Sequence, residues 1–510
     1  TTSSSTTAIG DSEALAVFDT GLADIEFSSN VSSDITWDQD AGTFTFNRAG
    51  NYHIMWTAVN SQDTQHNLQT YTWLIGTTVV YTGVNFVQTG FDPVESTHQR
   101  ILSVSADDVL TVKAITTTEA MGIEKGTSLI ITEVTSNDFA SSTVTTVGDN
   151  TSVAEFNPYD VDVGSVRFAS TGKVASGIVW SDSGGSMTVP TAGKYFIMVS
   201  NIHQNAVVRD LTMKLKKGTD IIWTTLVKGY NQEDPSETTI CIIEDLAAEA
   251  VLTVTWAQSG GGTPQSWSQL GSTFTVWKLN QDKYLPPYSS NDFVGGFDSL
   301  YLSVVSKAQT TASAAAINPF KAGNYSSASF ETKAARGITF TSSEGIFTVA
   351  KEGLYTIVYR PTLQAGADAF VTIIISVNGV AMVTANTPQI DSSVDPRDVT
   401  VSAFLALELG DEITVTADSN ASVNVTHEAG TSITILRYFG LFRHLDILET
   451  AAASLISDDN TINTYSRGNL SAQHDRNVDQ VPFKFGIRGP GTLRGRGTNP
   501  SVVKGGDKKA

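Results

Sequence analysis

Acid–base or metal chemistry in this chain would have to draw on seven histidines, His53, His66, His98, His203, His427, His444 and His474. They are scattered, and none falls into a ligand spacing such as H-E-x-x-H, so metal catalysis has no sequence support. The single cysteine, Cys241, excludes an intrachain disulfide and a cysteine-based zinc site. It lies in the apolar run "TTICIIEDL" without an electropositive neighbourhood, which reads as a small buried hydrophobe rather than a catalytic thiol. No G-x-S-x-G elbow is present. A carboxylate pair for glycoside cleavage is set by the fold and not by spacing, so the sequence leaves that reaction open. The acidic turns Asp107-Asp108 and Asp411-Glu412 could contribute to a calcium site, but a hard cation needs six to eight oxygens and no loop displays them; solvated turns are the favoured reading. The sequons at Asn150 and Asn324 matter only if the chain is secreted from a eukaryote. The expectation is a protein without catalytic residues, metal or cofactor.

The elements that carry these residues are set by a repeat. "AGTFTFNRAGNYHIMWTAV" from Ala41 returns as "GGSMTVPTAGKYFIMVSNI" from Gly184 and as "EGIFTVAKEGLYTIVYRPT" from Glu344. Anchoring glycines Gly50, Gly193 and Gly353 are each followed two residues later by a tyrosine, Tyr52, Tyr195 and Tyr355, and preceded eight residues earlier by Gly42, Gly185 and Gly345. Each anchor is expected in a turn with φ > 0. Apolar residues two apart between the glycines mark strands with one face on a core. Downstream come a hairpin, best marked by Asn378-Gly379, then two strands split by a polar or acidic turn, then the closing strands "GTSLIITEV", "GSTFTVWKL" and "GTSITILRY". Period-two patterning throughout predicts an all-β chain.

Taken together, the G-x-F-x-V-x-x-x-G-x-Y phrase, the Asn-Gly hairpin, "LELGDEITV" and "GTSITIL" resemble the C1q and tumour necrosis factor family of jelly rolls over roughly residues 15 to 438. The third copy matches best; the first lacks the Asn-Gly turn and the second has "AAEA" in place of "GD". The resemblance implies three tandem antiparallel jelly-roll sandwiches and threefold association, either a homotrimer formed module by module, which is preferred, or a pseudo-trimer within one chain. Trp37, Trp56, Trp73, Trp180, Trp223 and Trp277 are expected in cores, with some available for an interface.

The expected divisions are jelly roll 1 at 1–135, jelly roll 2 at 136–287, jelly roll 3 at 288–440, a short helical connector at 441–464 and a basic arm at 465–510. Ser-Asn-Asp-Phe recurs at 136–139 and 290–293 and is read as opening the next module; Leu441, Leu445 and Leu448 have helix-like spacing. The arm holds nine Lys or Arg against three Asp, a balance of +6, which leaves −26 for the rest of a chain of net charge −20. Such a body disfavours nucleic acid and anionic membranes. No apolar run is long enough to span a bilayer and the first residues do not read as a signal peptide, while a start at Thr1 is compatible with a removed leader or a removed initiator Met. The Gly-rich arm has little to bury and is either a solubilising end or a docking segment that meets an acidic partner through Arg488, Arg494, Arg496 and Lys504.

The leading functional expectation is a non-enzymatic structural and recognition protein on the exterior of a large assembly. It would be a spike, fibre or decoration protein on a virus or phage capsid, docked to shell proteins by the arm and able to meet a host glycan or receptor. The alternative is a secreted C1q-like protein binding a cell-surface glycan or receptor. A polysaccharide-cleaving enzyme on a β scaffold is the third reading.

Overall fold

The computed structural model describes residues 15–449 except 20–26, 32–33, 62–66, 88–93, 117–121, 124–126, 144–147, 151–154, 160–172, 206–208, 230–235, 259–265, 280–300, 307–309, 312–316, 323–329, 366–368, 388–389, 391–396, 420–424, 429 and 439–443. Arg488, Arg494, Arg496, Lys504 and the whole basic arm therefore lie outside the described residues.

Three antiparallel jelly-roll sandwiches follow one another. In the first, the outer sheet runs Ile35–Asp38, Thr43–Phe46, Asp108–Thr116, Asn67–Ile75, Thr78–Val87. The second repeats that order with Val179–Ser181, Ser186–Thr188, Val251–Gln258, Arg209–Lys217 and Asp220–Gly229. The third repeats it with Ile338–Thr341, Ile346–Val349, Glu412–Ser419, Val371–Val377 and Val380–Asn386. Each encloses its own apolar core. Phe44, Tyr52, Ile54 and Trp56 belong to the first, Met187, Tyr195, Ile197 and Val199 to the second, and Phe347, Tyr355, Ile357 and Tyr359 to the third.

The inner sheets are built on the anchor strands Gly50–Ser61, Gly193–Asn205 and Gly353–Arg360. Each pairs on one side with a facing strand, Val94–Val104, Ser236–Leu246 or Val401–Leu407, and on the other with a closing strand, Ser128–Glu133, Thr273–Lys278 or Ser432–Tyr438. A sheet with one face in water should bury alternate residues. Here nearly every anchor-strand residue is buried, because the second face lies against another module. Met55, Met198 and Val358, each five residues past its anchoring glycine, share one cluster with Ile101, Ile243 and Phe404 of the facing strands. At about 1.5–3 kcal/mol for each fully buried side chain, these six alone contribute on the order of 10 kcal/mol, more than a transient domain contact supplies.

Hydrogen bonds close the arrangement into a cycle. Gln99 Nε2 donates to the Met198 carbonyl between modules one and two, Thr434 Oγ1 to the Cys241 carbonyl between three and two, and Ser128 and Ser402 hydroxyls lie 3.0 Å apart between one and three. Within one chain the three modules thus meet at a common junction.

The tyrosine of the repeat has the same job three times: Tyr52, Tyr195 and Tyr355 donate to the carbonyls of Arg48, Thr191 and Lys351, four residues back, at 3.3, 2.7 and 2.7 Å. The glycines differ from expectation. Gly193 and Gly353 have φ of 154° and 157°, but Gly50 is not in the positive-φ set; the left-handed turn common to all three modules is at Gly42, Gly185 and Gly345. A second left-handed turn, three residues past the facing strand's last buried apolar residue, falls on Asp107, Glu249 and Gly410, with φ of 66°, 62° and 88°. The substitution of "AAEA" for "GD" in the second module thus leaves the turn in place and puts a glutamate in it. Asn378 and Gly379, with φ of 51° and 76°, form the expected tight hairpin.

One expectation is corrected. His444–Glu449, placed in a short helix by the leucine spacing, is a strand, and it lies in the first module's inner sheet between Ser128–Glu133 and Phe27–Val31. Three leucines over eight residues cannot separate helix from strand, and an unfilled place in a sheet outweighs so weak a local preference. The first jelly roll is therefore not closed within 1–135. Among the described residues there is no α-helix, only a 3-10 turn at Asp182–Gly184. Phe139 of Ser-Asn-Asp-Phe opens strand Phe139–Thr143, paired with Trp277, and the equivalent residue of the third module is Tyr301, paired with Leu436; the copy at 290–293 lies outside the described residues.

Candidate functional site

The polar cluster best placed to do something lies where the modules meet. Nine residues past each anchoring glycine, Val59, Ile202 and Thr362 pair with Glu95, Glu237 and Asp398. Each acid is followed two residues later by a threonine: Glu95-Ser96-Thr97, Glu237-Thr238-Thr239 and Asp398-Val399-Thr400. The acids thus occupy equivalent positions, one per module.

Two of them reach across to the equivalent threonine of a neighbour. Glu95 accepts the backbone N–H of Thr400 at 3.0 Å, from the third module, and the hydroxyl of its own Thr97 at 2.8 Å. Glu237 accepts the backbone N–H of Thr97, from the first, and holds Ser200 Oγ at 2.8 Å and the Thr239 hydroxyl. Asp398, one methylene shorter, instead pairs with Arg360 and accepts the Thr362 hydroxyl. Arg360 occupies the place held by Thr57 and Ser200 in the other modules, seven past the anchor, and has no exposed side-chain surface. It also donates to the Gly430 carbonyl at 3.2 Å, and its guanidinium lies 4.7 Å from the ring centroid of Trp223 in the second module.

Three carboxylates with one cation cannot all be ionised cheaply in such surroundings. Burial pushes Glu237 up to about 7, against the hydrogen bonds from Thr239, Thr97 and Ser200 and the pull of Arg360. Burial likewise lifts Asp398 to about 6 despite Arg360 beside it, and raises Glu95 well above the usual carboxylate range, with Glu237 the next cause. Oxygens so engaged by backbone and hydroxyl donors act as staples between modules.

Other candidate residues are structural. His53, His203 and His427 are buried and held near 4, and His98 near 3, by desolvation; all four are neutral at ordinary pH. His98 sits between Tyr81 Oη at 2.9 Å and Ser96 Oγ at 3.0 Å, while His53 bonds Gln99. His66 and His474 lie outside the described residues. Cys241 is buried in the shared cluster with its thiol pushed up to about 12, the wrong direction for a nucleophile. Asp108 and Asp411 cap their own turns, accepting the N–H of Ser105 and of Glu408 at 2.7 Å each. Among the described residues no group of three His, Cys, Asp or Glu is disposed to hold a metal ion. Trp56 and Trp73 are core residues, whereas Trp277 stacks on Phe196 in the inter-module cluster, at 4.1 Å between centroids.

The acids were missed from sequence although the signal was present: an acidic residue, any residue, then threonine, 45, 44 and 45 positions past the three anchors. In isolation such residues read as solvated strand ends.

No family model and no curated protein matches this chain. Among solved structures it is similar to Eiger, a TNF from S. frugiperda, at 9% identity and a TM-score of 0.21 over 28% of this chain and 93% of that one. It is also similar to murine APRIL, at 15% identity and a TM-score of 0.20 over 28% of this chain and all of the other.

Proposed function

We propose that this protein is a non-enzymatic structural and recognition protein, a single-chain trimer of C1q/TNF-like modules displayed on the exterior of a large assembly such as a virus or phage capsid. The observation that carries this reading is the shared interior: three inner sheets bury their second faces on one another, and the polar groups within are engaged in holding the modules together. What remains for interaction is the outside, and a rigid block carrying three different outer sheets suits display better than turnover. The acidic body and the +6 segment 465–510 supply the means of attachment, with Arg488, Arg494, Arg496 and Lys504 pairing with acidic groups of a shell protein.

Electron microscopy of the native source, with antibody labelling, tests the reading. Label on particles supports it, and chain found only free in solution overturns it in favour of a secreted binding protein. Deleting residues 465–510 should give a folded protein that no longer joins the particle; normal incorporation would remove the docking role of the arm.

A further inference from the structure

The first sandwich is completed by a strand that arrives from the far end of the chain. His444–Glu449 pairs with Ser128–Thr132 on one side and with Phe27–Val31 on the other, five residues in each ladder. Its counterparts are Phe139–Thr143 and Tyr301–Ser306, which likewise lie between a closing strand and an outer one. Both counterparts are internal to the chain and follow the closing strand of the preceding module. The same rule, carried round the cycle, sends the segment after the third module's closing strand into the first.

That position differs from the other two in its place along the chain. The strand is the last described element, whereas each counterpart is followed by a whole module of the same chain. Residues 439–443 join it to Ser432–Tyr438, a link as short as 134–138, which lead from Ser128–Glu133 into Phe139–Thr143. Like each counterpart it is the sole ladder partner of its outer strand among the described residues, so its departure would leave Phe27–Val31 unpaired and expose an edge of Ser128–Glu133, "SLIITE", to pairing.

We propose that the gap between Ser128–Glu133 and Phe27–Val31 is a strand-acceptor site for an extended peptide, that its ligand is the chain's own segment 444–449, and that a second copy of the chain can deliver that segment. In the folded molecule the attached segment wins through its high effective concentration. Delivery from another copy makes a head-to-tail contact and rises with protein concentration.

The test uses the full-length chain carrying Ile447→Pro, which places a residue without an N–H at the middle of a strand shared by both ladders. Hydrogen exchange should show amides of 128–133 and 27–31 losing protection by about tenfold or more while the second and third modules keep theirs. A labelled peptide of residues 441–452 should then bind one to one and restore protection, and should bind the wild-type chain at least about tenfold more weakly, because its own strand competes. Wild-type chain held at high concentration just below its unfolding midpoint and cooled should give dimers that the proline variant does not form. Unchanged protection in the variant overturns the proposal. So does lost protection without peptide binding, which would make the strand a fixed part of the fold. Absence of dimers overturns delivery by a second copy. If the variant does not fold, peptide capture by wild type just below its midpoint reads the same competition, and no capture there is likewise fatal.

Discussion

Arg360 is the side chain on which the inter-module cluster leans most. It is buried, it is the only cation paired with Asp398 among the described residues, and its guanidinium spans Trp223 of one module and the Gly430 carbonyl of its own. Removing one partner of a buried ion pair leaves the other desolvated and unpaired, so Arg360→Ala should cost about 3–5 kcal/mol in a denaturant titration at neutral pH. The loss should shrink below about pH 5, where Asp398, lifted to about 6, carries a proton whether or not Arg360 is present. Glu249 points the other way. A left-handed conformation costs a residue with a Cβ roughly 1–2 kcal/mol, and the third module meets the same turn with Gly410. Glu249→Gly should therefore stabilise by about 1 kcal/mol in thermal or urea unfolding, and a neutral or negative outcome would show that the Glu249 side chain offsets the strain.

Strands were more legible than their partners. The glycine and tyrosine phrase located the anchor strands, and the tyrosines proved to tie the preceding turn. Tyr195→Phe and Tyr355→Phe, each losing a 2.7 Å bond to a carbonyl, should lower stability by about 0.5–1.5 kcal/mol, with a smaller effect for Tyr52→Phe, whose bond is 3.3 Å. Differential scanning calorimetry of the three variants would check the ranking. The continuous buried runs "YHIMWTAV" and "YFIMVSNI" were visible as well. A strand buried on both faces loses its alternation, and that should have marked these faces as an interface. Pro361 explains why the third module's inner sheet is divided where the others continue: without an N–H it interrupts the ladder between Gly353–Arg360 and Thr362–Ala365. The strand at 444–449 was not legible, because its identity depends on a partner more than 300 residues away and not on its own pattern. A consequence at this scale is that deleting residues 465–510 should spare the fold, while deleting 441–510 should selectively reduce the protection of the first module's inner sheet.

For the whole molecule, buried groups of opposite kinds set the pH dependence. The histidines have folded pKa values of about 3 to 4, below their ordinary 6.5, so their contribution is present above 6.5 and lost as pH falls toward 4. Glu237 and Asp398 are raised to about 7 and about 6, so theirs is present below the ordinary carboxylate range and lost as pH rises through those values. Each uncompensated proton changes stability by about 1.4 kcal/mol per pH unit. Between about 4.5 and 6.5 the two sets oppose, and stability should peak near pH 6 to 6.5 in urea unfolding across pH 4–8. Glu237→Gln should steepen the rise between about pH 4.5 and 6.5 and flatten the fall just above it. Light scattering of the dilute chain should return a mass of 54.4 kDa, since the faces a trimer would bury are already covered.

Because the three modules belong to one polypeptide, each position around the junction is encoded separately. In an assembly of three identical chains every substitution is made in triplicate, and a charge next to the axis can be present three times or not at all. Three acids and a single arginine is a combination that no such assembly can reach. Arg360, standing where its counterparts are threonine and serine, is a change that three identical chains could not make at one position alone.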